Sequence, residues 1–88
     1  MEKKEYELEV ACRLLARESG WVMLKLEKNG HKGVPDDLLI SPEGKCKLIE
    51  FKKGKAEHLR YEQKVWFEKY PMLRVRIDNI DDFKKLLQ

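Results

Sequence analysis

Threonine is absent from this 88-residue sequence, and serine occurs only at Ser19 and Ser41. Ser41 precedes Pro42 in an apparent turn with no nucleophile elbow around it, and His31 and His58 are the only histidines. These scarcities argue against a Ser-His-Asp triad. Cys12 and Cys46 lack Cys-x-x-Cys spacing, and each falls inside an apolar segment. They read as reduced, buried small hydrophobes, and with two scattered histidines they do not have the spacing of a zinc site. The five glycines are dispersed, so there is no Gly-rich phosphate loop. No apolar run approaches the ~18 residues of a membrane span. The opening Met-Glu-Lys-Lys-Glu has no apolar segment behind it, which argues against a secretory signal and for a cytoplasmic protein.

What is present suffices for one core. The chain is 42% hydrophobic with two Trp, three Phe and three Tyr, enough to fold residues 1–88 as a single small domain of marginal stability, prone to self-association. The net charge of +3 is concentrated: Lys52, Lys53, Lys55 and Arg60 against Glu57 account for all of it. Such a patch suits a polyanion such as nucleic acid, and an ordinary solvated loop fits equally well on charge alone.

Periodicity places the elements. Leu8, Ala11, Cys12 and Leu15, with Val10 and Leu14 adjoining, have helical spacing from about Lys4 to Ser19, and Gly20 supplies a stop. Trp21 to Leu26 reads as a strand, and Glu27 to Gly33 as a loop. Asp37 to Ile40 and Cys46 to Phe51 read as two strands. Leu59, Gln63, Trp66, Phe67 and Tyr70 follow a second helix that Pro71 ends. Leu73, Val75 and Ile77 alternate with Arg74 and Arg76 as a last strand, and Ile80, Phe83, Leu86 and Leu87 form a final helix capped by Asp78 or Asn79. The order α-β-β-β-α-β-α implies an antiparallel hairpin region followed by a crossover helix to a parallel strand.

The turn sets a register. In Ser41-Pro42-Glu43-Gly44-Lys45, Pro and Gly suit a type I turn closed by a left-handed residue, which places Ser41 opposite Lys45. Counting back brings Asp36 opposite Glu50, to within a residue for any bulge. Alternation puts Asp36, Leu38 and Ile40 on one face with Leu48, Glu50 and Lys52. Two carboxylates then sit with β-carbons about 5 Å apart beside a lysine, a destabilising pairing unless something lies between them. A divalent cation would. Mg²⁺ takes hard oxygen ligands, lowers the pKa of bound water and offsets charge on a phosphoryl transition state, and a neighbouring lysine can orient the water or stabilise that charge. An acid two residues before a lysine occurs five times in this chain, so the pattern alone says little. Only the Glu50 copy lies on a strand-like segment with Pro-Asp on the strand before it.

Gly33-Val34-Pro35-Asp36, then Ile49-Glu50-Phe51-Lys52, then Leu59-x-x-x-Gln63-x-x-Trp66, resembles the virus-type replication-repair nuclease (VRR-NUC) domain, a branch of the PD-(D/E)xK superfamily. The resemblance spans about residues 7–70. It implies an α/β fold with a restriction-endonuclease-like αβββαβ core, a mixed sheet and a C-terminal helix. It also implies Mg²⁺ or Mn²⁺ as cofactor and cleavage of DNA, with compact stand-alone members, typical of phages, resembling Holliday-junction resolvases in size and tending to act as homodimers on branched DNA.

Carried onto this chain, the resemblance gives Asp36, Glu50 and the Phe51 carbonyl as metal ligands, Lys52 as the catalytic lysine and Gln63 as a supporting amide. The family places an acid in the first helix, for which Glu5, Glu7 and Glu9 compete. Glu7 is favoured because it leads the inward stripe and its distance to Lys25 and Gly33 resembles family spacing, whereas Glu9 shares a face with Arg13. Asp37 reads as a surface acid. Lys25 matches a family position and is expected to meet the phosphate backbone, with Lys53, Lys55 and Arg60 as further nonspecific contacts. His31 reads as solvent-exposed, and Trp66, Phe67 and Tyr70 as core. The alternative reading is a non-catalytic nucleic-acid-binding module on the same fold.

Overall fold

The structure, a computed structural model, describes residues 3–27, 33–52, 59–70 and 74–88. Helix α1 (Lys3–Glu18) is followed by strands β1 (Val22–Lys25), β2 (Asp37–Ile40) and β3 (Cys46–Phe51), helix α2 (Tyr61–Lys69), strand β4 (Arg74–Ile77) and helix α3 (Ile80–Leu86). The strands form one mixed sheet in the order β1-β2-β3-β4, with β1–β2 and β2–β3 antiparallel and β3–β4 parallel. This is the α/β order anticipated from the sequence. Pro71 and Leu73, expected to end the second helix and open the last strand, lie outside the described residues.

The β2–β3 turn sets the sheet's register. Gly44 adopts φ 87°, a conformation that disfavours any side chain. Its amide donates to the Ser41 carbonyl at 2.9 Å, and the Ser41 amide donates to Lys45 O at 2.8 Å. Ser41 Oγ accepts the Lys45 amide as well, at 3.0 Å. Ile40 therefore pairs with Cys46 and Asp37 with Ile49. At the far end of the molecule, Asn79 Oδ1 accepts the Asp82 amide at 2.8 Å and caps α3.

Alternation divides the sheet into two faces. Met23, Leu39, Ile49, Phe51 and Ile77 point to one side, where Cys12 and Ala16 of α1 and Phe83 of α3 close the core. Val22, Leu24, Leu38, Ile40, Leu48 and Glu50 point to the other, reached by Gln63 of α2. One expectation needs correction. Cys46 is exposed rather than buried, because its parity puts it on this second face at the end of β3. Leu14 is also exposed, since α1 is rotated so that Glu9, Cys12 and Ala16 face the sheet. Trp66, Phe67 and Tyr70 are half-buried, with the Trp66 and Tyr70 rings 5.1 Å apart. No helix among the described residues is long and apolar enough to cross a membrane.

Candidate active site

Asp36 lies just ahead of β2 and is clamped through its backbone from both sides. The Leu26 amide donates to its carbonyl at 2.8 Å, and its own amide donates to Ile49 O at 3.0 Å. The second bond is one residue off the ladder that pairs Asp37 with Ile49, a local bulge of the kind that raises twist and re-aims a side chain. The Asp36 carboxylate turns back across β3, where Oδ2 accepts the Phe51 amide at 2.9 Å. Asp36 thus stands beside the Glu50–Lys52 segment. The Phe51 side chain is in the core, so only its main chain borders Asp36.

Glu50, Lys52 and Gln63 are all buried, at 1%, 5% and 3% exposure. Such burial is rare for ionised groups and requires partners. Gln63 Nε2 donates to Glu50 Oε1. The other end of the same amide is fixed, since Gln63 Oε1 accepts the Arg60 amide at 2.9 Å across the first turn of α2. An amide oxygen only accepts, so this cap decides which end of Gln63 meets the carboxylate. The Lys52 backbone is tied to β4 by donation to Ile77 O at 3.0 Å. Arg60 is exposed at the start of α2.

Gly33 holds this helix against the strands. It is buried, has φ 82°, and a β-carbon there would fall inside the Glu62 backbone carbonyl. The segment leading to Asp36 and the helix carrying Gln63 are therefore in contact at a point where only glycine fits. The sequence signal for this is the glycine three residues before Asp36.

A second polar cluster sits on the core side of the sheet. Glu9 is fully buried and accepts from Lys25 Nζ at 3.2 and 3.1 Å. Arg13 reaches Glu9 at 3.0 Å and Asp37 at 3.7 Å. Asp37, expected at the surface, is fully buried, because its parity places it with Leu39 and Ile49 under α1. Burial, then the hydrogen bond and charge of Glu9, push the Asp37 carboxyl up to about 8, so it keeps its proton at neutral pH. Burial would also raise Glu9, but the hydrogen bonds from Asp37 and Lys25 and the charges of Lys25 and Arg13 outweigh it and hold Glu9 low. Cys12, one turn on, is pushed up to about 12 by burial and by Asp37 and Glu9, and is an inert thiol.

The α1 expectation therefore changes. Glu7 is exposed and turned away from the sheet, and the inward acid is Glu9. Glu9 stands three residues before Cys12 and seven before Ala16, the inward spacing, and this could have identified it. Lys25 is committed to Glu9 rather than presented as a free phosphate contact. Asp36, Glu50, Lys52 and Gln63 are brought to one region and Glu7 is not. Lys53, Lys55 and His31 lie outside the described residues.

Among the described residues no three His, Cys, Asp or Glu side chains converge as a ready-made metal cage. Two carboxylates and a main-chain carbonyl are nevertheless a donor set that suits Mg²⁺ or Mn²⁺, which commonly bind through one or two carboxylates with water and substrate phosphate completing the shell. The residues present fit the ion.

Comparison with known proteins agrees with this architecture. A solved structure described as a VRR_NUC domain superposes with a TM-score of 0.87 at 22% identity, over 98% of this chain and 96% of that one. No protein-family model and no curated protein sequence matches the chain. The chain has the VRR_NUC fold: three helices and a mixed four-stranded sheet, the last helix C-terminal.

Proposed function

We propose that this chain is a metal-dependent DNA nuclease that hydrolyses phosphodiester bonds. It acts as a homodimeric, structure-selective endonuclease on branched DNA in the cytoplasm of a bacterial or phage-infected cell. The observation that carries the reading is the buried Asp36, Glu50 and Lys52 brought together by the β2–β3 register and the Asp36 bulge.

Asp36, Glu50 and the Phe51 carbonyl would hold Mg²⁺ or Mn²⁺, which supplies a nucleophilic hydroxide at neutral pH and offsets charge on the phosphate. Lys52 orients the attacking water or stabilises charge developing on the phosphoryl oxygens, and its burial strengthens that interaction. Gln63 positions Glu50, and Phe51 N–H positions Asp36. Arg60, at the exposed start of α2, contacts the DNA backbone together with Lys53 and Lys55.

The test is cleavage of a labelled four-way junction with Mg²⁺ or Mn²⁺, beside matched duplex and the Lys52→Ala protein. Metal-dependent cuts on the junction alone, lost in the variant, are expected. Equal cutting of duplex would remove the branch selectivity. Binding without cutting would leave a non-catalytic nucleic-acid module.

A further inference from the structure

Strands β3 and β4 run parallel, so their carboxyl ends lie side by side, the place where open α/β sheets bind ligands. The register pairs Glu50 with Arg76. Neighbours in a parallel pair share a face, and the strands are about 4.8 Å apart. Arg76 therefore stands beside Glu50 on the face that Gln63 reaches, while Ile49–Val75 and Phe51–Ile77 pair on the core face. Asp36 approaches the same segment from the β2 side, at the Phe51 amide. The three charged residues make a row from β2 across β3 to β4, and alternation puts Lys52 on the same face as Glu50.

The two arginines of β4 are used differently. Arg74, two residues earlier on this face, ties the end of α2 to the sheet. Its Nε donates to the Tyr70 carbonyl at 2.5 Å, and its guanidinium lies 4.2 Å from the centre of the Phe67 ring. Arg76 turns toward the carboxyl end of the strand, where Nη1 donates to Asp78 Oδ2 at 2.7 Å. Asp78 is a firm anchor. Its side chain is 8% exposed, and Asn79 Nδ2 donates to its other oxygen at 2.6 Å. Asn79 in turn caps α3, whose Phe83 is in the core. The guanidinium is thus fixed through the start of a packed helix, while 25% of the Arg76 side chain is open to solvent.

We propose that Arg76 is a further catalytic residue, a guanidinium that donates to a non-bridging oxygen of the scissile phosphate, and that Asp78 positions it. The inference rests on the nuclease reading. In hydrolysis the water oxygen bonds to phosphorus, and the bond to the leaving sugar oxygen breaks with its electron pair. The water gives up a proton and the leaving oxygen takes one. In between, the non-bridging oxygens carry added negative charge.

Arg76 is suited to that charge by geometry. Asp36 and Glu50 are acceptors when ionised, and Lys52 is a single point charge. A guanidinium carries five donors in a planar fork, so it can hold a carboxylate at one end and a phosphate oxygen at another. Because Asp78 already fixes it, a phosphate held over this row meets an oriented cation on the β4 side and little reorganisation is needed.

An ion pair of purely structural value would change folding and leave the chemistry alone, and the test separates the two. It uses the full chain with Mn²⁺, a labelled four-way junction and matched duplex. Arg76→Ala is expected to lower kcat by about 10²-fold with KM within a few-fold, the loss typical of one transition-state donor. Arg76→Lys, which keeps the charge without the fork, is expected to stay about tenfold or more below wild type. Circular dichroism and urea unfolding check that each variant folds. One phosphorothioate diastereomer at the mapped cut is expected to slow the wild-type chain and to cost Arg76→Ala little further, since that contact is already gone. Asp78→Asn is expected to lower kcat by about tenfold alone and not at all in an Arg76→Ala background. Folded Arg76→Ala that cuts at the wild-type rate overturns the proposal and leaves the nuclease reading standing. So does a sulfur penalty of the same size in both proteins. A wild-type chain that cuts neither DNA removes the nuclease reading, and this inference with it.

Discussion

Gln63 illustrates how single residues do several jobs in so small a protein. Its oxygen caps α2 and its nitrogen holds Glu50, so the helix start and a proposed ligand share one amide. Gln63→Ala is expected to lower cleavage about tenfold and also to cost about 1 kcal/mol of stability, read by urea unfolding. Lys52→Ala should reduce the cleavage rate by about 10²–10³ while leaving junction binding within a few-fold, since its role is at the transition state. Asp37 gives a prediction in pH. Its folded value near 8 lies above the ordinary 3.8, so between these values the folded chain holds a proton that the unfolded chain has released. The stability it contributes is present in acid and is lost as pH rises through 8. Glu9, held low, runs the other way, with its contribution lost only as pH falls through the acidic range. From pH 6 to 8.5 the unfolding free energy should therefore decline, and Asp37→Asn should flatten that decline in urea titrations.

At the scale of elements, the glycine contact between the strand entrance and α2 is the joint that assembles the site. Gly33→Ala would strain a left-handed backbone and push a β-carbon into Glu62. A loss of about 1–3 kcal/mol is expected in chemical denaturation, with cleavage falling further than stability alone accounts for, because Gln63 shifts with its helix. The elements and their register were legible in the sequence because turn chemistry is local. Pro42 and Gly44 determine the hairpin, the hairpin determines which residues pair, and that places Asp36 beside Glu50. What was not legible depended on partners distant in sequence. Glu9 and Asp37 look like surface acids by type and are buried only because Arg13 and Lys25 arrive from α1 and β1. Cys46 looks like core by type, yet faces outward once the sheet's parity is set, and Leu14 is exposed while Glu9, Cys12 and Ala16 take the inward face of α1. Gly33 was visible as a residue of a motif, but its contact with Glu62 exists only in the folded chain.

The whole molecule is small enough for one site to register in its global stability. Eighty-eight residues, with eight buried hydrophobic side chains among those described, leave little reserve against two buried acids near one another. The Asp36 carboxylate is held at the Phe51 amide, next in the chain to buried Glu50, and two like charges brought this near destabilise a fold unless a cation lies between them. An ion that binds the folded chain and not the unfolded one stabilises by mass action, by about 2.7 kcal/mol at a hundred times its Kd. In a domain of this size each 1 kcal/mol moves the melting temperature by roughly 4–8 °C. Millimolar Mg²⁺ or Mn²⁺ should therefore raise the melting temperature of the wild-type chain by several degrees, and a chelator should reverse the rise without unfolding the protein, since the described core is closed by hydrophobic side chains rather than by the ion. Glu50→Gln and Asp36→Asn should behave differently in both arms. Each should melt higher than the wild type without metal, the like-charge pair having been removed, and each should lose most of the response to the ion. A melting temperature that ignores divalent ions in wild type and variants alike would mean that the paired carboxylates hold no cation, and the hydrolytic reading would lose its physical basis.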